Sequence, residues 1–183
     1  VPQVTWWVDG ILADDSDMTE DDDTVSNTFV IERVTRQNFA STVTCQAINS
    51  PFLAALTATI SVEVFLPPLD VKIIDEKRPL SAGSEYDLVC QSTGSRPPAT
   101  ITWWKGGKQL QAPTKVSTSY EGNMTICNVV YTAQRSDAGL SLSCRASNQH
   151  VPASALEDTW TLDIYFLPIV RVDIGSNINS SSV

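Results

Sequence analysis

The chain has 183 residues, of which 42% are apolar and 18% are charged, and its formal net charge at pH 7 is −9. This composition is that of a globular protein with room for one or two domains. The negative charge argues against nucleic acid or an anionic membrane as a partner, because both bind basic surfaces. No apolar run approaches 18 residues and no basic start precedes an apolar stretch. The sequence therefore predicts neither a membrane span nor a signal peptide, and we expect a piece of a longer protein.

Three short segments from the first part of the chain recur about 100 residues later, in the same order and at nearly the same spacing. The pairs are VTWWVDG at 4–10 with ITWWKGG at 101–107, CQAIN at 45–49 with CRASN at 144–148, and FLP at 65–67 with FLP at 166–168. Repetition at one period predicts two copies of one domain.

The first copy, residues 1–66, predicts four strands with alternating apolar and polar residues. They lie near residues 4–8, 28–34, 42–47 and 57–65. Trp6 is the predicted core tryptophan of this copy, and its neighbour Trp7 is predicted to face outward. The copy also carries most of the negative charge, because it holds ten Asp and Glu against two Arg.

An acidic segment at residues 14–23 follows the first strand and contains seven carboxylates. Hard cations such as Ca²⁺ take several oxygen ligands, so the segment is a candidate cation site. The spacing of an EF-hand loop, with Gly at its sixth position and Glu at its twelfth, is absent. The alternative, which we favour, is a solvated loop kept extended by charge repulsion.

Two consecutive prolines, Pro67 and Pro68, mark the boundary to the second copy, because proline cannot join a central strand. In this copy Cys90 is followed by Trp103 and then by Cys144, each within a segment of alternating apolar residues. That spacing is typical of an immunoglobulin-type sandwich, in which one disulfide bridges two sheets about 10 Å apart and one indole packs against it. We therefore predict a Cys90–Cys144 disulfide packed on Trp103.

The whole chain is predicted to be all-β and to contain tandem immunoglobulin-like Greek-key β-sandwiches. Residues 1–66 form an incomplete first domain with counterparts of strands C to G only. Residues 67–167 form a complete domain, and residues 168–183 begin a further one. One hallmark is missing from strand F, because Ser141 stands where this fold usually has a tyrosine whose hydroxyl fixes the preceding turn at Asp137.

Catalysis has little basis in this sequence. The single histidine, His150, lies in the loop between strands F and G, and no nucleophile constellation lies near it. Cysteine or histidine pairs with zinc spacing and a glycine-rich phosphate loop are absent. We predict that the protein is not an enzyme and takes no small-molecule substrate, metal or cofactor.

Three residues are candidates for a binding surface. Trp104 follows the core tryptophan and should face outward, where exposed indoles often anchor partners. Because Trp7 repeats this feature, we favour the alternative that both pack on a neighbouring side chain. Arg96, which precedes two prolines, and His150 lie in loops at the end of the second domain where sandwich domains often bind; alternatively, the prolines only rigidify the turn.

Two cysteines have no predicted partner in the sequence. Cys127 lies on strand E with its side chain inward, and is either a reactive thiol or, as we favour, a small buried hydrophobic residue. Cys45 has no upstream cysteine with which to pair. Four cysteines in a sandwich favour an oxidising compartment. The triplets at Asn123 and Asn179 are candidate glycosylation sites and point the same way.

Several segments of the chain carry a family resemblance. They are RPLSAG at 78–83, YDLVC at 86–90, the segment 94–107, the segment 156–165 and VDIGSN at 172–177. These segments resemble the sidestep family of insect immunoglobulin-superfamily cell-surface proteins, and residues 1–66 do so more loosely. Similar cysteine, Arg-Pro-Pro and tryptophan patterns occur in nephrin-like and nectin-like adhesion molecules.

The resemblance implies a single-pass membrane glycoprotein with several extracellular immunoglobulin-like domains, acting as a ligand for beaten path receptors in axon guidance. We therefore expect this chain on the extracellular side of the plasma membrane, with a protein partner on another cell and a membrane anchor outside the fragment. The alternative is a structural spacer, as in intracellular muscle proteins. Bonded cysteines and a glycan on Asn123 would favour the adhesion hypothesis, whereas free thiols and a bare Asn123 would favour the spacer.

Overall fold

The computed structural model describes residues 2–16, 18–19, 24–111 and 113–172, which form β-strands and three short 3-10 turns. The turns are Arg36–Asn38, Arg135–Asp137 and Pro152–Ser154. The strands of the first copy are β1 Gln3–Val8, β2 Ile11–Asp14, β3 Met18–Thr19, β4 Val25–Ser26, β5 Thr42–Ile48 and β6 Leu56–Ser61. The strands of the second copy are β7 Asp70–Ile73, β8 Leu80–Ser81, β9 Glu85–Thr93, β10 Thr100–Lys105, β11 Lys108–Gln109, β12 Lys115–Ser119, β13 Met124–Thr132, β14 Ser141–Ser147, β15 Leu156–Thr161 and β16 Ile164–Tyr165.

The second copy is a sandwich of two antiparallel sheets. Their strand orders are β12-β13-β9-β7 and β11-β10-β14-β15, and β16 adds a parallel pairing with β8. In immunoglobulin letters these sheets are D-E-B-A and C′-C-F-G. The predicted fold class, all-β with tandem immunoglobulin-like sandwiches, is confirmed.

The core of the second domain lies between its sheets and is crossed by the predicted disulfide between Cys90 of β9 and Cys144 of β14. Trp103 is 3% exposed and lies opposite Cys144 in the register of β10 with β14, so the indole and the disulfide share one face. Cys127 lies opposite Cys90 in the register of β13 with β9 and is fully buried. Burial raises the pKa of the Cys127 thiol, and the neighbouring Trp103 indole opposes this effect only in part. A protonated, inaccessible thiol is a packing group.

Alternation decides which residues of the central strands enter this core. Along β14 the residues Leu142, Cys144 and Ala146 are all buried. Leu140, which the alternation also predicts to point inward, is instead 37% exposed, because it precedes the first residue of β14 and lies in the turn.

The first copy forms one four-stranded sheet in the order β2-β1-β5-β6. Residues paired across antiparallel strands share a face, and the registers build one entirely apolar face from three rows. The rows are Val4-Ala47-Leu56, Trp6-Cys45-Ala58 and Val8-Val43-Ile60. Within the described parts of this copy the other paired strands are the short ribbon β3–β4, and Leu56 and Ile60 stay 79% and 65% exposed.

The strand predicted near residues 28–34 is not formed. Its counterpart in the second domain, β13, pairs along its whole length with β9, which is strand B. Residues 28–34 have no such neighbour among the described residues, and an isolated strand cannot complete its backbone hydrogen bonds. The irregular segment still covers Trp6, whose indole N–H donates to the Asn27 carbonyl at 3.1 Å and whose ring lies 6.4 Å from that of Phe29. The first domain therefore shows strands C, C′, F and G without strand E.

The burial of the Trp103–Trp104 pair predicts an asymmetric response to truncation. Trp103→Ala should lower the free energy of unfolding of the second domain by about 3–5 kcal/mol, because it opens a cavity beside the disulfide. Trp104→Ala should cost about 1 kcal/mol, because it removes one partly exposed hydrogen bond. Urea titration of both variants, followed by far-ultraviolet circular dichroism, measures the difference. Equal losses would contradict the assigned faces of β10.

Candidate interaction site at the domain junction

The structure brings Arg96 and His150 together at the end of the second domain that faces the first copy. Arg96 lies in the loop after β9, and its guanidinium carbon is 4.3 Å from the centre of the Phe39 ring. His150 lies in the loop after β14 and stacks on Phe65, with ring centres 4.0 Å apart and ring planes inclined by 8°. The loops singled out as a binding end therefore form the place where the two domains meet.

Trp104 lies apart from these two residues, half-buried on the outer face of the sheet β11-β10-β14-β15. Its indole N–H donates to the hydroxyl of Thr102 at 3.0 Å. In the first copy Trp7 makes the same bond to Thr5 at 2.9 Å. Residues two apart share a strand face, so each outer tryptophan is tied to a threonine of its own strand. This local bond accounts for the repeated Trp-Trp doublet.

Leu66 is the residue through which the linker enters the second domain. Its backbone pairs with that of Arg96 in both directions, with N–H to carbonyl distances of 2.8 and 2.9 Å. Leu66 is 8% exposed, whereas Leu167, at the same place in the repeated FLP segment, is 88% exposed. The side chain of Leu66 is therefore covered at the junction, whereas its counterpart Leu167 is open to solvent.

The side chain of Asn148 holds the linker and both loops together. It is 1% exposed, and its Nδ2 donates to the carbonyl oxygens of Leu66 at 2.9 Å and Arg96 at 2.8 Å. The same nitrogen lies 3.3 Å from the Ser95 hydroxyl, and Oδ1 accepts the backbone N–H of His150 at 2.9 Å. One buried carboxamide thus donates to carbonyl oxygens of the linker and of the loop after β9, and accepts an N–H from the loop after β14, which fixes the direction of the linker.

Arg36 fastens the first copy to the same junction from the other side. Its guanidinium donates to the carbonyl oxygen of Pro67 at 2.7 Å and to that of Gly94. Arg36 begins a 3-10 turn, and Arg135 begins the equivalent turn one repeat later, where its guanidinium carbon lies 4.2 Å from the centre of the Phe166 ring. In both copies the turn arginine contacts the FLP segment of its own domain.

The apolar pattern and the motifs do not identify Arg36 or Asn148 as junction residues. The signal that could have found them is the repeat, because Arg36 and Arg135 are 99 positions apart, as are Asn49 and Asn148. Repeated residues outside the apolar pattern of the strands point to a shared role, but the repeat does not say that this role is at a domain junction.

A groove of about 340 Å³ opens beside the junction, and we call it the junction groove. Its lining residues are Glu63, Val64, Phe65, Arg96, Pro97, Pro98, Glu121 and Gly122. Gly122 has φ +83°, and a Cβ there would lie 3.1 Å from Pro98 Cγ. Glycine therefore allows this turn to close tightly against Pro98.

Carboxylates outnumber free cations in the junction groove. Glu63 and Glu121 are both exposed, and the ion pairs found among the described residues lie elsewhere in the second domain. Arg96 is the one cation in the lining, and its guanidinium already lies over the ring of Phe39. The groove therefore combines an apolar wall with two carboxylates that no cation neutralises.

Asn123 is exposed in the turn that forms one side of this groove, directly after Gly122. Its carbonyl accepts the backbone N–H of Gly94 at 2.8 Å, which joins the turn to the loop after β9. Glycosylation of Asn123 stays a prediction, and it would place a glycan at the rim of the groove. The second candidate, Asn179, lies outside the described residues.

Much of the acidic segment 14–23 also lies outside the described residues. At its start Asp14 accepts the backbone N–H of Ser16 at 2.8 Å, which is a local turn contact. In the part of the chain that the structure describes, no group of His, Cys, Asp and Glu side chains is arranged to hold a metal ion. No helix of that part is both long and apolar enough to cross a bilayer.

Asp137 anchors the turn that precedes β14. Its carboxylate accepts hydrogen bonds from the Tyr131 hydroxyl at 2.7 Å and the backbone N–H of Gln134 at 3.0 Å, and pairs with the Lys105 ammonium at 3.0 Å. Burial alone would raise the pKa of Asp137, but these donors outweigh it and hold the pKa below its ordinary value. The Tyr131 hydroxyl thus ties strand E to the turn that precedes strand F.

Comparison with known proteins agrees with this geometry. Residues 71–154 match the CD80-like C2-set immunoglobulin domain. The chain is 26% identical over 150 residues to nephrin from Mus musculus, which covers 81% of this chain and 12% of nephrin. It is 26% identical over 97 residues to Cell adhesion molecule 2 from Xenopus tropicalis, which covers 51% of this chain and 22% of that protein. The chain thus spans less than a quarter of the length of these relatives.

Among solved structures, the crystal structure of Rst D1-D2 matches with a TM-score of 0.65 and 16% identity, over 89% of this chain and 85% of that chain. At this identity the likeness establishes the two-domain fold and does not transfer a function. The chain therefore contains a C2-set immunoglobulin domain and is homologous to immunoglobulin-superfamily cell adhesion proteins.

The donor role of Asn148 makes an isosteric substitution more harmful than truncation. Asn148→Ala should lower the free energy of unfolding by about 2 kcal/mol, because buried carbonyl oxygens lose a donor. Asn148→Asp should cost more, since a carboxylate beside the same carbonyl oxygens only accepts hydrogen bonds. Urea unfolding of both variants at pH 7 checks the order, with Gln149→Glu at the exposed neighbouring position as the control. A less damaging Asp than Ala variant would contradict the assigned bonds.

The lowered pKa of Asp137 predicts a loss of stability in acid. A carboxyl group whose pKa is lower in the folded than in the unfolded state stabilises the fold above its unfolded pKa of about 3.9, and this contribution disappears as the pH falls through the folded pKa. The urea concentration at which the wild type is half unfolded should therefore decrease once the pH drops below about 4. Asp137→Asn should be less stable at pH 7 by about 2 kcal/mol and show a shallower acid decline. Asp163→Asn, at an exposed position, is the matched control; an unchanged pH profile for Asp137→Asn would refute this role.

Proposed function

We propose that this chain is a non-catalytic, extracellular segment of a cell-surface adhesion protein that binds a protein on another cell. One observation carries the proposal: the disulfide between Cys90 and Cys144 is buried in the core, and such bonds form and persist in oxidising compartments. The similarity to Cell adhesion molecule 2 supports an adhesive role. The hydrogen bonds at the junction support it further, because successive domains that are held together can carry a distant binding site away from the membrane of their own cell.

The finer proposal is a sidestep-like ligand for receptors of the beaten path family, acting in axon guidance. Its support is the set of motifs in the second domain, above all RPLSAG at 78–83, YDLVC at 86–90 and the segment from Gly94 to Gly107. In this proposal the full-length protein crosses the membrane once, its anchor lies outside these residues, and Asn123 carries a glycan.

A second candidate is a nephrin-like or nectin-like adhesion protein. The nephrin similarity supports it, since it extends over 81% of the chain and so reaches into the first copy. The two candidates share the extracellular location and differ in the partner. An intracellular spacer is a third class of function, and it would leave Cys90 and Cys144 as thiols.

A cell-binding experiment separates these candidates. The full 183-residue chain, secreted from eukaryotic cells and clustered on fluorescent beads, is offered to cells that each display one beaten path receptor. The expected result is saturable binding to at least one receptor and none to the parent cells. Cells displaying nephrin, and cells displaying this chain itself, are tested in parallel.

Different candidate functions predict different results in this experiment. Binding to nephrin-bearing cells or to the chain itself, without binding to any beaten path receptor, would favour the second candidate. Absence of binding to every cell type, together with free thiols at Cys90 and Cys144 in the secreted chain, would reject the adhesion proposal. Peptide mapping without reduction gives the state of these cysteines in the same material.

A further inference from the structure

We propose that the junction groove is a docking site for an arginine-containing, otherwise apolar segment of a protein partner. The proposal rests on the proposed function only in requiring that a protein partner exists. The proposal names the site and the chemical class of the partner segment, neither of which the fold alone gives. Its support comes from the shape, the lining and the charge of the groove.

The groove is built before any partner arrives, because bonded segments form its walls. One wall follows the linker, where the backbone of Leu66 pairs with that of Arg96 and the side chain of Asn148 bonds to both carbonyls. The other wall follows the turn at Gly122, which closes against Pro98. A preformed site loses less conformational entropy on binding than a site that must order itself.

The apolar part of the lining suits the stem of a long side chain. Val64, Phe65, Pro97 and Pro98 present ring and methyl surface without hydrogen-bond donors on their side chains. The methylene groups of arginine pack well on such a surface while the guanidinium remains hydrated at the rim. A volume of about 340 Å³ holds one such side chain and a neighbouring apolar residue, and it is too small for a folded domain.

The charge of the groove selects a cation. Glu63 lies on the linker side and Glu121 on the turn side, so the carboxylates come from opposite walls. The net charge of the chain is −9, and this long-range negative potential also attracts a basic segment before contact. An acidic segment would be repelled by Glu63 and Glu121, so the lining favours a basic one.

Arginine fits better than lysine for two reasons. Its planar guanidinium stacks on aromatic faces, and here the ring of Phe65 lies in the lining. It also bonds a carboxylate through two parallel N–H groups, which an ammonium cannot do. A guanidinium already lies over an aromatic ring at the same junction, where Arg96 contacts Phe39.

The test uses two probes that differ only in charge. Acetyl-Leu-Arg-Leu-amide and its citrulline analogue are titrated into the ¹⁵N-labelled 183-residue chain, and amide shifts are followed by NMR. The arginine probe should cause saturable shifts at Phe65, Arg96 and Gly122. The citrulline probe, which has nearly the same shape without the charge, should bind about five- to tenfold more weakly.

A pair of variants tests the carboxylates. The double variant Glu63→Gln, Glu121→Gln should bind the arginine probe about five- to tenfold more weakly than wild type. Its affinity for the citrulline probe should be unchanged. Glu85→Gln with Glu157→Gln removes the same charge at exposed positions outside the groove and is the matched control. Affinity for the arginine probe should also fall as salt is raised, because both carboxylates are exposed.

Three results would overturn the inference: equal binding of both probes, equal loss in both double variants, or no saturable shift at the groove. Each can be told apart from a failure of the proposed function. If the probes fail but the clustered chain still binds receptor-bearing cells, only the groove assignment is wrong. If the probes bind as expected, no cell type is bound and Cys90 and Cys144 are free thiols, the groove stands and the adhesion proposal fails.

Discussion

The disulfide between Cys90 and Cys144 is the constraint on which the rest of the second domain and its junction depend. It joins β9 to β14 across the core, and each of these strands runs directly into a loop that reaches the first copy. Six residues after Cys90 comes Arg96, and four residues after Cys144 comes Asn148. The bond fixes the two strands relative to one another, and it therefore also fixes the distance between their loops. At this distance the carboxamide of Asn148 can reach the Arg96 carbonyl.

The two copies share a plan but differ in what completes them. In the second domain β9 and β13 cover the sheet that carries Trp103, and the pairing of Asp137 with Lys105 fixes the turn before strand F. In the first copy the equivalent sheet keeps part of its apolar face exposed, at Leu56 and Ile60, and its turn is anchored to the linker through Arg36. The junction thus couples the first copy to a neighbour that has a complete core.

Much of this architecture could be predicted from the sequence, because it follows from local alternation and from the spacing of Cys90, Trp103 and Cys144. The strand predicted at residues 28–34 failed for a non-local reason: its apolar pattern is present, but no strand B lies beside it in the described chain. The junction could not be predicted, because Arg36 and Asn148 act on backbone carbonyls 31 and 82 positions away in sequence. Every residue type has a backbone carbonyl, so the residue type of the partner does not reveal such a bond.

Hydrogen exchange at the junction shows whether the linker is a fixed part of the second domain. The backbone amides of Leu66 and Arg96 donate to one another's carbonyls, and NMR can follow both in the full chain. Both amides should exchange as slowly as the core amides of β9, because breaking their hydrogen bonds requires the carboxamide of Asn148 to leave its buried site. Rapid exchange of both amides, with β9 still protected, would contradict a fixed junction and show that the two domains are joined by an open linker.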